Sequence, residues 1–138
     1  MSAKALGLVA VVCLLVCLVV YIYQQYRDTI RAVEEHYALS EVTEMIICYV
    51  HREQGSLPST WDDLEEAYHF VDSGYNAFSL PELRARVHID FGALKRLNAD
   101  DYNGNVLQIV SEEADRPSTV AEREANQRLR SEVRSMIK

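Results

Sequence analysis

Three side chains that could bind a transition metal lie close together in the first half of the chain. Cys48 and His51 are three residues apart, and Glu44 precedes Cys48 by four, so a helix places all three on one face. Thiolate, imidazole and carboxylate groups are the usual protein ligands of zinc. A tetrahedral site needs a fourth ligand, and the chain has no Cys-x-x-Cys pair to supply it. The favoured alternative is that Cys48 packs in a core and His51 is solvated.

A second group of oxygen-bearing side chains follows the spacing of a calcium-binding loop. Ligands at positions one, three, five and twelve of such a loop would be Asp101, Asn103, Asn105 and Glu112. Position six, where the sharp turn requires Gly, is Val106, and the residues after it are typical of a strand. The alternative interpretation is that Asn103 and Gly104 form a hairpin turn and that Glu112 lies on the surface.

Two histidines have an aspartate nearby, which is the pairing used in general acid–base catalysis. The pairs are His69 with Asp72 and His88 with Asp90. His88 and Asp90 fall on the polar face of a predicted strand, so we expect both to be exposed to solvent. The chain has no Gly-x-Ser-x-Gly turn and no glycine-rich phosphate loop. The sequence therefore predicts a protein that is not an enzyme and has no cofactor.

Composition narrows the classes of partner further. The chain has 138 residues and a formal net charge of −7, which suits one small acidic domain beside an anchor. An acidic surface repels phosphate backbones, so we expect no nucleic acid partner. Cys13 and Cys17 lie inside an apolar run, which leaves Cys48 without a partner for a disulfide.

Residues 5–23 form an uncharged apolar segment. As a helix it spans roughly 28 Å, which matches the hydrocarbon core of a bilayer. A cleaved signal peptide is the alternative, but such peptides have a shorter apolar core and end in small residues, whereas this segment ends in bulky ones. We therefore predict an uncleaved transmembrane helix. The residues expected to contact lipid are Leu6, Leu8, Val11, Leu14, Leu15, Leu18, Val19, Tyr21 and Tyr23.

The rest of the chain predicts a helical extension of the anchor followed by a small domain. No Gly or Pro interrupts 24–54, and Gly55 with Pro58 supplies a stop. Apolar residues recur at helical spacing in the first half of this extension, at Tyr26, Ile30, Val33 and Tyr37. The predicted organisation is a flank at 1–4, the transmembrane helix at 5–23, an amphipathic extension at 24–54, a small α+β region at 55–116 and a C-terminal amphipathic helix at 117–138.

The α+β region contains two predicted strands, at 86–91 and 105–110, separated by turn-forming residues. A short helix at 60–68 and a helical turn at 80–83 precede them. Two strands alone are marginally stable, so we expect an antiparallel pair that packs on the long helix. The predicted fold class is therefore α+β, with a long N-terminal transmembrane-plus-amphipathic helix, a small antiparallel sheet and a C-terminal helix.

In the predicted C-terminal helix, an apolar face repeats every four residues at Ala121, Ala125, Leu129 and Val133. The first interpretation is that this face covers the core of the domain itself. The second is that Leu129 and Val133 bind a protein partner.

Residues 46–64, IICYVHREQGSLPSTWDDL, follow a long helix with an aromatic and polar end, then Gly, Pro and a short acidic helix. This segment and the overall layout resemble bacterial type IV pilins and type II secretion pseudopilins. The resemblance implies a pilin-like fold, a domain outside the cytoplasm and no catalytic residues. The family's peptidase site, with Phe and a Glu five residues into the mature helix, is absent: Leu8 follows Gly7, and Asp28 is the first acidic residue.

These observations predict a single-pass membrane-anchored, pilin-like protein with a structural or assembly role. The expected partners are the lipid bilayer and other membrane or periplasmic proteins, including copies of itself. The expected location is the bacterial inner membrane, with the C-terminal domain outside the cytoplasm. The alternative is a small accessory subunit of a larger membrane complex, whose helix packs laterally through small residues such as Gly7 and Ala10.

Overall fold

The computed structural model describes residues 3–71, 77–97, 104–110 and 118–137, with side chains from residue 7 onward. The fold class is α+β, as predicted, with a long N-terminal helix, a two-stranded antiparallel sheet and a C-terminal helix. The elements are α1 (Ala3–Arg52), a 3-10 turn (Asp62–Leu64), α2 (Glu65–Phe70), α3 (Leu80–Arg86), β1 (Val87–Ile89), α4 (Phe91–Arg96), β2 (Leu107–Ile109) and α5 (Val120–Met136).

The chain divides into two compact units, Met1–Glu34 and Glu35–Lys138. In the first unit, α1 is long and apolar enough to cross a membrane. Its most apolar stretch of 18 residues has a mean hydropathy of 2.5, and none of that stretch is buried. A helix in the core of a soluble protein would be covered by its own chain, whereas this 18-residue stretch is not covered. A signal sequence near an N-terminus can also be long and apolar enough to satisfy this criterion.

In the second unit, the remainder of α1 supplies one wall of the core. Its buried side chains recur at helical spacing at Ala38, Leu39, Val42, Met45, Ile46 and Val50. The helix stops where predicted, because Gln54 (φ 51°) and Gly55 (φ 96°) take up left-handed conformations. The Gly55 amide donates to the Val50 carbonyl (2.8 Å), which closes the end of the helix.

The predicted antiparallel strand pair is present but shorter than expected. Val87 lies opposite Ile109, and Ile89 opposite Leu107, with these four side chains turned inward. The prediction that the first strand continues to residue 91 is wrong. The Asp90 carboxylate accepts the Ala93 amide (2.8 Å) and caps α4, which begins at the next residue. The connection between the strands therefore contains a helix that the sequence interpretation did not include.

The predicted helix at 60–68 is replaced by a 3-10 turn and α2, which ends at Phe70. Its start is held by Asp63, whose carboxylate accepts the amides of Ser59 (2.7 Å) and Thr60 (2.9 Å). These hydrogen bonds, with that from Ser59 the largest cause, lower the pKa of Asp63. Because the folded pKa is lowered, the stabilisation is present above the unfolded pKa and is lost as the pH falls through the folded value.

We expect Asp63→Asn to reduce the free energy of unfolding by about 1 kcal/mol at pH 7, because a neutral amide oxygen accepts the Ser59 and Thr60 amides more weakly than a carboxylate does. The difference between variant and parent shrinks toward zero as the pH falls through the lowered pKa of Asp63, since the parent carboxylate is then protonated. Urea unfolding of the full chain in detergent, followed by Trp61 fluorescence, measures it. Asp62→Asn is the matched control, since Asp62 is exposed and pairs with Arg84 at the surface. A difference in the free energy of unfolding that does not change with pH would contradict this role of the Asp63 carboxylate.

Helix α5 begins at a capping box formed by Thr119 and Glu122. Its buried face decides between the two interpretations of its apolar residues. Leu129 and Val133 are fully buried in the core of this chain, so the interpretation in which they bind a partner does not describe this structure. Toward the N-terminus of α5, the fully buried positions are two polar residues, Glu122 and Asn126, and the predicted alanines are only partly buried.

Candidate functional site

An open, mostly apolar groove lies beside α1 in the second unit, with a volume of about 640 Å³. Its floor is formed by one face of α1 and its side by the end of α2. Phe70 stands at the rim, 63% exposed, and the Arg52 guanidinium lies 4.2 Å from the centre of its ring. The lining residues are Tyr37, Ser40, Glu41, Glu44, Ile47, Cys48, His51, Arg52, Phe70 and Val71.

The three residues considered for a transition metal all line this groove, but they do not form a ligand set. The Glu44 carboxylate is hydrogen-bonded to the Arg128 guanidinium of α5. Cys48 is half-buried and packs against the core, and His51 is exposed. Among the residues with described positions, no three His, Cys, Asp or Glu side chains are arranged to hold a metal ion. This arrangement, with Cys48 packed and His51 solvated, is the one favoured from the sequence over a metal site.

Glu41 is the acidic group of the groove with a perturbed pKa. Its Oε1 accepts the backbone amide of Ala77 (2.5 Å), which ties the segment before α3 to α1. Burial away from water raises the pKa of Glu41, against the lowering effect of hydrogen bonds from the Ala77 and Phe78 backbone. Its described role is therefore to position the segment that precedes α3.

Most of the predicted calcium loop lies outside the described residues, including Asp101, Asn103 and Glu112. Asn105 is described, and its amide nitrogen donates to the Ser118 hydroxyl (2.6 Å). Position seven of the loop would bind the ion through the Leu107 carbonyl, which instead accepts a hydrogen bond from Asn126 (2.8 Å). At position six, Val106 is buried. Of these ligand atoms, the Leu107 carbonyl is therefore engaged within the protein, whereas Asn105 is held through its nitrogen.

Because of these hydrogen bonds, we expect millimolar calcium to leave the melting temperature of the domain unchanged. The measurement is thermal melting of the full chain in detergent, with magnesium as the control for ionic strength. A rise in melting temperature with calcium alone, which Asp101→Asn abolishes, would contradict this expectation and support the loop.

The two His–Asp pairs do not form a described catalytic arrangement. His88 is exposed on β1, as predicted, and the Asp90 carboxylate caps α4. His69 stacks edge-on against Tyr68, with ring centres 5.6 Å apart. Its proposed partner Asp72 lies outside the described residues.

The polar site that the sequence interpretation missed is structural and lies between β2 and α5. The Asn126 side chain accepts the amides of Val106 (2.6 Å) and Leu107 (2.9 Å), and its nitrogen donates to the Leu107 carbonyl. Glu122 accepts the Ile109 amide (2.7 Å) in the same way. These side chains satisfy the edge of β2 that faces away from β1, where a third strand would otherwise pair. The available signal was their spacing, which places both on the face of Leu129 and Val133.

The predicted lipid-contacting residues are exposed along α1 throughout the described part of the segment. Exposure reaches 71% at Leu14 and 68% at Leu8. The side chain of Leu6 lies outside the described part. The other exposed members of the set are Val11, Leu15, Leu18, Val19, Tyr21 and Tyr23.

Comparison of the chain with models of known protein families, with curated proteins and with solved structures gave no match.

Proposed function

We propose that this chain is a single-pass membrane-anchored protein without enzymatic activity, with a structural or assembly role through protein–protein contacts. The observation that carries the proposal is the uncovered apolar part of α1, where Leu14, Leu15 and Val19 are each more than half exposed. Apolar surface in water costs about 25 cal/mol per Å², so an uncovered segment of this length is strongly favoured to enter a bilayer. Tyr21, Tyr23 and Tyr26 at its end are suited to the interface.

The proposed location is the bacterial inner membrane, with the C-terminal domain outside the cytoplasm and a pilin-like relation between anchor and domain. The support is the layout of residues 46–64, which resembles the corresponding segment of pilins and pseudopilins. Charges alone leave the orientation balanced, with Lys4 on one side and Arg27 and Arg31 on the other. The orientation can be measured with a variant in which the native cysteines are replaced and one cysteine is introduced in the C-terminal domain. Labelling of that cysteine by a membrane-impermeant thiol reagent in intact cells is expected if the domain lies outside the cytoplasm.

The assembly role is supported by the surface of the second unit. The groove beside α1 and the exposed Phe70 ring form an apolar patch with Arg52 beside it, and aromatic and Arg side chains are enriched in protein interfaces. Among the described candidates, Glu44 is in an ion pair, Asp90 caps α4 and Cys48 packs against the core. We propose no catalytic residue and no cofactor.

An accessory subunit of a larger membrane complex is the second candidate, favoured by one observation. A Cβ atom placed on Gly7 meets no other atom within 4 Å. With Ala10 one turn further along, this part of α1 allows the close approach of another helix.

Purification of the full chain in a mild detergent, through a C-terminal tag, tests the assembly role. We expect a particle that contains more than one polypeptide by native mass. A constant second protein would favour the accessory-subunit candidate, and a monomer at every concentration would contradict an assembly role. A matched Phe70→Ala variant reports whether the groove contributes to the assembly.

A further inference from the structure

A narrow apolar stripe continues along α1 beyond the proposed membrane span. Between residues 24 and 34 the helix is polar except at Tyr26, Ile30, Val33 and the small Ala32. Tyr26 is 65% exposed, Ile30 41% and Val33 49%, so nothing in the first unit covers them. A stripe of this width on an exposed helix is the pattern of a helix–helix seam rather than of a helix on a globular core.

The stripe repeats every 3.5 residues and extends back through the apolar segment. The steps from Tyr26 to Ile30 and from Ile30 to Val33 are four and three residues, which are the steps between the core positions of a heptad repeat. The same register continues without interruption through Val9, Val12, Val16, Val19, Tyr23, Tyr26, Ile30 and Val33. All eight side chains are exposed. A sustained 3.5-residue period favours left-handed packing of parallel helices.

We propose that the occupant of this stripe is the same stripe of further copies of this chain, packed in parallel and in register. This inference rests on the proposed function, because the membrane span makes every copy parallel and holds equivalent residues at the same depth. Residue 30 of one copy then meets residue 30 of the next, so the stripe is complementary to itself. A partner with another sequence would have to supply its own matched repeat.

The area available is sufficient for association. Half-exposed Val and Ile and the larger Tyr side chains each offer about 80 Å², so eight of them bury roughly 1,300 Å² over two copies, a contact area in the range of stable interfaces. Inside the bilayer this contact is stabilised by van der Waals packing, and the hydrophobic contribution comes from Tyr26, Ile30 and Val33 beyond it. The positions that flank the stripe outside the apolar segment do not oppose like charges. In a parallel pair, Thr29 of one copy faces Glu34 of the other, and Arg27 faces Ile22.

Disulfide cross-linking of the full chain in native membranes tests the proposal. In a background with Cys13, Cys17 and Cys48 changed to Ala, single cysteines are introduced by Ile30→Cys and Val33→Cys on the stripe. Asp28→Cys and Arg31→Cys are the matched controls on the outer face of the same two turns. A disulfide requires Cα atoms within about 7 Å, which parallel in-register packing provides at the stripe and not on the outer face.

We expect the two stripe variants to form cross-linked homo-oligomers at least about fivefold more than the two controls on mild oxidation. Equal cross-linking at all four positions, no cross-linking, or cross-linking only to a different protein would overturn the proposal. The same membranes report separately on the proposed function. If the chain remains in the washed membrane fraction without stripe-specific cross-links, self-association fails and the anchor stands, whereas loss from the membrane defeats the anchor itself.

Discussion

Leu14→Arg combined with Leu15→Arg is expected to remove the chain from the membrane fraction. These residues lie at the middle of the apolar segment, too far from either interface for an Arg side chain to reach water along its own length. Each change costs about 3 kcal/mol of insertion free energy at the centre of a membrane helix, so the pair costs about 6 kcal/mol. This corresponds to roughly a 10⁴-fold change in the partition between bilayer and water. The measurement is quantitative immunoblotting of membrane and soluble fractions.

Two controls make the result specific to the bilayer. Leu14→Ile with Leu15→Ile keeps the segment apolar and is expected to remain in the membrane. Val120→Arg places a charge at an apolar residue of the second unit that is 60% exposed, and it should also leave the distribution unchanged. If the double Arg variant remained in alkaline-washed membranes in the same amount as the parent, the apolar segment would not be what holds the chain there.

Asn126→Ala is expected to have the largest effect on the stability of the domain. The side chain is 4% exposed and makes hydrogen bonds to the Val106 and Leu107 amides and to the Leu107 carbonyl. Removing it leaves three buried backbone groups of β2 without partners, at about 1–3 kcal/mol each before any relaxation. We expect a total loss of about 4 kcal/mol, which is a large part of the stability of a domain of this size.

Urea unfolding in detergent, followed by the fluorescence of Trp61, measures this loss. Gln127→Ala is the matched control, because Gln127 is adjacent on α5 and exposed, and its change is expected to stay within about 0.5 kcal/mol. Asn126→Asp keeps the oxygen that accepts both amides but turns a buried carboxylate oxygen toward the Leu107 and Glu122 carbonyls, so a loss at least as large as that of Asn126→Ala is expected. A loss below about 1 kcal/mol for Asn126→Ala would show that water or a rearranged backbone replaces these hydrogen bonds.

The features that could be predicted from the sequence are those set by local residues. Gly55 and Pro58 mark the end of α1 because few residues adopt a left-handed conformation as readily as Gly, and the observed φ of 96° at Gly55 agrees. The alternation of Val87, His88 and Ile89 predicted a strand with one buried face, as observed. The uncharged stretch in 5–23 likewise gives a helix that needs no partner to form its backbone hydrogen bonds.

The features that were missed depend on contacts between distant segments. Phe91 continued the alternation of the first strand, so only the cap at Asp90 distinguishes a helix start from one more strand residue. Polar side chains in helices are usually exposed, so the residue types of Asn126 and Glu122 do not indicate their burial. They are buried because they bind the free edge of β2. Asn126 lies nineteen residues after its partner Leu107, and Glu122 lies thirteen residues before its partner in space is reached from Ile109.

For the candidate site, the sequence predicted which residue types were present but not their partners. Glu44 shares a helix face with Cys48 and His51, yet its partner is Arg128, 84 residues later. The groove also depends on Phe70 and Val71, whose approach to α1 has no local signal. The apolar segment needs no such tertiary information, and the central functional proposal rests on it for that reason.

The most direct test of that proposal is the intact mass of the chain extracted from membranes after an alkaline wash. The account predicts that the chain is recovered from the washed pellet with residues 5–23 still attached. Recovery of a shorter chain that begins after residue 23, or of the full-length chain in the soluble fraction, would contradict it.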